Sequence, residues 1–347
     1  MANKLLAFLI LSLFGSSLYA VNQPLKADIT VALDGSGNFV KIQDAINAVP
    51  SNSNKRTIIF IKKGIYNTEK LIVPEDKKNI TMIGESRDET VISYHIYVCS
   101  DSVYHKCPVE DVVKWSGDLL KTTATITISG DGYQAQNITF RNTAGPGGQA
   151  LAITINSDKN IFINCSFLGY QDTVYVPKAG QRSFFKDCLI TGRTDYIYGA
   201  GIAFFEKCEI RSFIGGWITA PSTPQNQLYG FVFYKCKLTY DPNTPDKNSK
   251  GNTIGLGRPW HNYPKVAWIM CEMCKEIDPK GWPTKWNMDY SDTSPDLHLY
   301  EYKNNGEGAS MTNRAQWIGL RALTDLEAVQ YDLKHVMTGS DGWFPRF

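Results

Sequence analysis

Six segments of the chain share one shape: "QNITFRNTAG", "KNIFINCSFLG", "RSFFKDCLITG", "IAFFEKCEIRS", "GFVFYKCKLTY" and "KVAWIMCEMCK". Each is a short run of β-branched and aromatic residues leading into a polar residue and, usually, a cysteine. Aligned on that position they give Asn142, Cys165, Cys188, Cys208, Cys236 and Cys271, at steps of 23, 23, 20, 28 and 35 residues. A drifting period of this size, with Gly and Asn between the runs, points to a solenoid. The runs alternate rather than repeat every 3.6 residues, which argues against helical repeats. Regular leucines, the mark of a leucine-rich repeat, are absent. The expected fold is therefore all-β, a single-stranded parallel β-helix whose coils stack at strand spacing, ~4.8 Å. Longer steps then carry loops on the outside. "KNITMIGES" and "ATITISGDG" extend the series toward the N-terminus.

The open ends of a solenoid need covers. "GSGNFVKIQDAINAV" is a glycine turn followed by Ile42, Ala45, Ile46 and Val49 on one helical face. Thr324 and Glu327 have capping-box spacing at the start of "TDLEAVQYDLKHVM". Both segments are expected as short helices capping or packing on the solenoid. One domain spanning 21–347 suffices, with no linker in sight. Ahead of it, residues 1–20, "MANKLLAFLILSLFGSSLYA", have the early lysine, apolar run and small residues of a secretory signal peptide. The apolar run is too short to span a bilayer comfortably, and no later segment resembles a membrane span. The expectation is a secreted, extracellular protein.

Export makes the eight cysteines candidates for disulfides. It also makes the sequons at Asn79, Asn137 and Asn164 candidate glycan sites. The last two lie in strand-like segments, where a buried structural asparagine is the alternative. Residues one coil apart fall within the Cα range a disulfide tolerates, ~4.4–6.8 Å. The 20-residue step from Cys188 to Cys208 is the tightest, so a bridge there and a ladder of free buried thiols both remain open. Cys271 and Cys274 form a lone C-x-x-C pair, with no second pair or nearby histidine to make a zinc site.

Lys and Arg number 36 against 34 Asp and Glu, so no global field suggests nucleic acid. There is no G-x-S-x-G elbow and no P-loop, and His95, His105, His261, His298 and His335 lack H-E-x-x-H spacing. Carboxylates are the remaining chemistry. Gln149 lies 22 residues before Gln171, and Asp195 lies 23 after Asp172. On stacked coils, two carboxylates, each beside a glutamine in register, would share one exterior face. The alternative is a polar stack filling a turn. In "TIGLGRPWHNYP", Arg258 and Trp260 occupy alternate positions and point the same way if the segment is extended. Arginine can hold a carboxylate by two hydrogen bonds and keep it ionised. Tryptophan offers a flat face for a sugar ring. A surface ion pair and a core aromatic are their structural alternatives. Gln171 and Asp172 would point apart on a straight strand, so the pair is expected at a bend or strand end, with Tyr175 lining the same groove.

"GSGNF", "GPGGQALAI", "GYQDTVYV", "DYIYG" and "LGRPW" occur in the order expected of pectin methylesterases, and over nearly the whole chain after residue 20 the sequence resembles that family. These pectinesterases are carbohydrate esterases with a right-handed parallel β-helix. The resemblance implies hydrolysis of the C6 methyl esters of galacturonate units in pectin, releasing methanol. It assigns Asp195 as nucleophile, Asp172 as general acid then base, Gln171 and Gln149 to the oxyanion, and Arg258 to orienting Asp195. Thr125, Tyr175, Tyr198 and Trp260 match positions that contact the galacturonate chain. A Cys188–Cys208 bridge is also implied. So are methyl-esterified homogalacturonan as substrate, a proteinaceous inhibitor as partner, a monomer in the cell wall, and no cofactor, metal, nucleic acid or membrane.

Two departures stand out. The family's G-x-Y-x-E element reads "GIYNTE", with Thr68 in the glutamate position and Glu69 one later, which on a strand is the other face. "DYIYG" replaces the commoner D-F-I-F-G and adds hydroxyls to both rings. No inhibitor-like pro-domain is expected ahead of the catalytic region. Competing readings are a β-helix polysaccharide lyase with a calcium-binding acidic cluster, a galacturonan hydrolase with carboxylates flanking a glycosidic bond, and a non-catalytic pectin-binding solenoid. Two glutamines beside the aspartates suit an oxyanion better than a lyase or hydrolase site, and pure binding would not require the two aspartates, two glutamines and the arginine together.

Overall fold

The computed structural model describes residues 26–98, 123–245, 251 and 253–346; the signal segment 1–20, Cys99, His105 and Cys107 lie outside them. The alternating runs form short parallel strands whose register advances coil by coil. One sheet has eleven strands, from Ile29–Val31 to Leu320–Ala322. The other, of thirteen, folds into two faces because two of its strands turn a corner. Strand Leu189–Gly199 pairs through its first half with Ser166–Leu168 and through its second half with Val174–Val176. Glu209–Pro221 does the same against its neighbours. The result is a three-faced parallel β-helix, as the repeat predicts.

Inside it, equivalent residues of successive coils stack. Phe162, Phe185, Phe205, Phe233 and Trp268 occupy one register position. Their rings lie 4.8, 4.7, 4.6 and 3.9 Å apart in that order and near parallel. Burial alone makes each ring worth ~2–3 kcal/mol, and offset stacking adds to it.

The beat heard in the sequence is the corner after this column. Asn137, Asn164, Asp187, Lys207, Lys235, Met270 and Lys303 each take a left-handed φ, between 46° and 55°. From Asn137 to Met270 the residue after each turns inward, which produces the column Ile138, Cys165, Cys188, Cys208, Cys236 and Cys271. Asn142 does not belong to it. Ser166 pairs with Thr139, so the partner of Cys165 one coil back is Ile138, at a step of 27 residues. "QNITFRNTAG" supplies a strand of the second sheet, Thr139–Asn142, whereas the runs before the cysteines lie in the first.

Cys188 and Cys208 are free, as are the other four described cysteines, so the expected bridge is not formed. In-register side chains on parallel strands keep their Cβ atoms near the strand spacing of ~4.8 Å, wider than the ~3.5–4.5 Å of a relaxed disulfide. Each thiol instead points to a carbonyl of the preceding coil. Cys188 meets Phe162 O at 3.5 Å, Cys208 meets Phe185 O at 3.6 Å, Cys236 meets Phe205 O at 3.3 Å and Cys271 meets Phe233 O at 3.4 Å. The sequon asparagines also do structural work at left-handed turns. The Asn164 amide donates to Asn137 Oδ1 at 2.8 Å and that of Asn79 to Ser53 O at 2.9 Å.

At the N-terminal end, helix α1 (Ile42–Ala48) buries Ile42, Ala45 and Ile46 against the first coils. The displaced Glu69 accepts from Gln43 N–H at 3.2 Å in its first turn, a structural role. Near the C-terminus the Thr324–Glu327 capping box forms, but the segment is not one helix. It breaks into α2 (Asp325–Ala328), a tight turn and α3 (Leu333–Met337), because Asp332 caps a second helix through His335 N–H. Val336 and Met337 pack on Phe184, Phe204 and Val232, on the outer surface of the first sheet. Arg182 pins the segment through Asp158 and Asp341.

Candidate active site

On the third face the regular ladder fails. Between Leu189–Gly199 and Glu209–Pro221 the register shifts on both sides of Thr194. Asp195 sits in this break with φ 50°, and Asp172, one coil earlier, has φ 66°. Aspartate tolerates the left-handed region better than most residues, since its short side chain can bond locally. Gln171 bridges Thr194, and Asp172 N–H donates to Thr194 O at 3.1 Å. The Gln171–Asp172 pair therefore lies at a bend just before strand Val174–Val176, and the two aspartates are neighbours across adjacent coils.

The 22-residue step holds at Gln149: Ala150 N–H donates to Gln171 O at 3.1 Å, and the offset drops to 21 only from Ile153, which pairs with Val174. An antiparallel bridge to Val98 holds it there. Gly148 permits that contact, because a Cβ at this position would lie 2.3 Å from Val98 O. From this place the Gln149 amide reaches the Asp172 carboxyl.

Both aspartates are buried. Burial pushes Asp172 well above the usual carboxylate range, and the charge of Asp195 adds to the shift; Arg258 and the Gln149 amide oppose it. Burial is thus a larger cause than the neighbouring charge. Asp195 is also raised by burial, but Arg258 works against the shift by hydrogen bonds and charge. Arg258 Nε donates to one oxygen of Asp195 at 2.9 Å and Nη2 to the other. Only one carboxyl of the pair has the cation on both oxygens, so Asp172 holds a proton more readily than Asp195.

Aromatic residues line the open side. Thr154, Tyr175, Tyr198 and Ala220 form one register column. Tyr175 stacks on Tyr198 at 4.3 Å, Trp260 leans on Tyr198 at 6.0 Å, and Trp286 lies parallel to Trp260 at 6.5 Å. The Tyr198 hydroxyl is buried and has no hydrogen-bond partner among the described residues. Arg258 and Trp260 do share one side, since both meet Trp286. Thr125 is not part of this wall: it is fully buried, and its hydroxyl donates to Arg141 O at 3.0 Å. Two residues enter that the motifs did not name. The Arg258 guanidinium carbon lies 4.2 Å from the ring centre of Trp217 and 3.8 Å from that of Trp286. Trp217 could have been found, since it lies 22 residues after Asp195; Trp286 sits in a loop without strand pattern.

The family described as Pectinesterase matches residues 28–340. Among curated proteins, probable pectinesterase/pectinesterase inhibitor 58 of Arabidopsis thaliana is 34% identical over 338 residues, covering 94% of this chain and 55% of the relative. Pectinesterase/pectinesterase inhibitor 3 of the same plant is 35% identical over 327 residues, covering 92% and 51%. The chain spans about half the length of the curated relatives it matches. Among solved structures, pectin methylesterase from carrot superposes with a TM-score of 0.79 at 31% identity, covering 94% of this chain and 98% of that one. Pectin methylesterase PemA from Erwinia chrysanthemi gives 0.73 at 28% identity, covering 92% and 99%.

Proposed function

The chain belongs to the pectinesterase family, and from that premise we propose that it hydrolyses the C6 methyl esters of galacturonate units in pectin. The observation that carries this reading is the buried aspartate pair on adjacent coils, with Arg258 bonded to both oxygens of one member only. Asp195 attacks the ester carbonyl carbon as the ionised nucleophile. The amide N–H groups of Gln171 and Gln149 receive the developing oxyanion. As the C–O bond breaks, neutral Asp172 gives its proton to the departing methoxy oxygen and methanol leaves. Water then adds to the acyl-enzyme carbonyl and passes a proton to Asp172. Asp195 departs as carboxylate, and the product acid ionises in solvent. Two carboxyls in opposite protonation states are what this cycle demands, and unequal partners are how sites provide it.

Tyr175, Trp260 and Trp286 offer partly exposed rings on which sugars can lie, with Tyr198 buried behind Tyr175. A related pectin methylesterase has been solved with a hexasaccharide, which supports a polymeric ligand of this class. The names of the curated relatives pair pectinesterase with pectinesterase inhibitor, which supports a protein inhibitor as partner. The signal-like segment supports action outside the cell, on the wall polysaccharide itself. The test is methanol release from highly methylated pectin by the wild type and by Asp195→Asn. Release by the wild type alone is expected. Comparable release by a folded Asp195→Asn protein overturns the nucleophile assignment, and viscosity loss or unsaturated products without methanol would favour a hydrolase or lyase.

A further inference from the structure

Arg258 makes two kinds of contact at right angles in function. The edge of its guanidinium serves Asp195, through Nε and Nη2. The same guanidinium lies over two indoles: its central carbon is 4.2 Å from the ring centre of Trp217 and 3.8 Å from that of Trp286. An indole face attracts a guanidinium but offers no lone pair that competes for its in-plane N–H groups. Such walls keep water from the cation while leaving its donors free to point one way.

Both indoles are held in place at some structural expense. Trp286 has φ 42°, a region that bulky residues rarely enter unless their surroundings fix them there. Trp217 pairs with Thr194 on the coil below and with Gly255 on the coil above. A Cβ at Gly255 would lie 2.6 Å from Trp217 Cδ1, so the glycine is what lets the indole lie where it does. Strain at one wall and a close approach at the other converge on one side chain. Core packing alone would not require either at a half-buried site.

Resting on the reading of Asp195 as nucleophile, we propose that Trp217 and Trp286 are positioning residues: together they fix the guanidinium plane of Arg258 so that its edge stays bonded to both oxygens of Asp195. The consequence is a definite pH signature. Burial raises the proton affinity of Asp195 and Arg258 opposes it. Loosening Arg258 removes the opposition, so Asp195 keeps its proton to higher pH and the acid limb of the rate profile moves upward. Ground-state binding of the sugar chain is affected less than turnover.

The experiment measures kcat and KM for methanol release across pH for wild type, Trp217→Leu, Trp217→Phe and Gly255→Ala, with the melting temperature of each. Trp217→Leu is expected to lose about five- to ten-fold in kcat, with its acid limb displaced upward by about half a pH unit. Trp217→Phe recovers most of both, and Gly255→Ala, which displaces the indole without touching a functional group, shifts in the same direction. If Trp217→Leu does not fold, Gly255→Ala carries the test. A folded Trp217→Leu or Gly255→Ala protein with the wild-type acid limb overturns the proposal, whether kcat is unchanged or lowered. A wild type that releases no methanol sinks the esterase reading and this inference with it; an active wild type with an unmoved limb sinks only the inference.

Discussion

The corner built around Cys165 to Cys271 and the corner that holds Asp172 and Asp195 belong to the same coils, yet they obey opposite rules. At the first, every coil repeats the same device: an inward ring, a left-handed turn residue, then a buried thiol. At the second, the register shifts, a long strand bends, and the two stacked aspartates are followed by Arg258 rather than a third copy. A ladder stacks each residue on its own counterpart, which suits phenylalanine on phenylalanine. Two carboxyls come together on an intact 23-residue step, and the register slips only toward the following coil, beyond which Arg258 reaches back to Asp195. Regularity supplies stability here and the spacing of the acids, and irregularity completes the site.

That contrast can be attacked from both sides. The largest effect belongs to Asp195→Asn, which should reduce methanol release by about 10⁴-fold while leaving the melting temperature near or above wild type. Phe205→Ala, in the middle of the ring column, should do the reverse. It is expected to cost ~3–5 kcal/mol in denaturant unfolding with little change in kcat of the folded fraction. Cys208→Ala removes less volume from the same region and should cost ~1–2 kcal/mol by the same measurement. If either core change altered catalysis more than stability, the division of labour would be wrong.

Asp172 gives a pH test. Its pKa is raised on folding, so between the unfolded and folded values the native state holds more protons. Stability must then fall as pH rises from the ordinary carboxylate range to the raised one. Asp172→Asn should remove that slope and melt a few degrees higher at neutral pH, with methanol release lost. The smallest effect is Tyr198→Phe. Deleting a buried hydroxyl that has no partner among the described residues should leave stability within ~1 kcal/mol of wild type and no lower. A marked loss would mean that the break, too, is built for stability.

The same contrast decides what the sequence reveals. The solenoid is legible because its corner residues recur, and Asp172 and Asp195 are legible because 23 residues is a coil step. Asn142 misleads because similar strand runs lie in both sheets, and nothing in the run itself says which. Gln149 is legible by the same kind of step, because the slip to a 21-residue offset comes only after it, at Ile153. The Cys188–Cys208 step has the right Cα reach for a bridge but not the side-chain convergence, which depends on parallel register. Thr125 matches a motif position while its side chain is turned into the protein. Trp286 has no periodic neighbours at all, and only the folded chain brings it over Arg258.

The hydrogen bond from Asp172 N–H to Thr194 O, 3.1 Å long, has a consequence beyond holding a bend. It makes the interval between the two acids a unit of backbone pitch rather than a product of side-chain packing. Repacking the surroundings can tilt either carboxyl, but it cannot stretch or compress that interval without unzipping a coil. The reacting centre therefore carries a length standard shared with every other rung of the molecule. Diversification of such a scaffold toward other polymers would have to proceed through the loops at the rim, because the gauge at its centre is not adjustable.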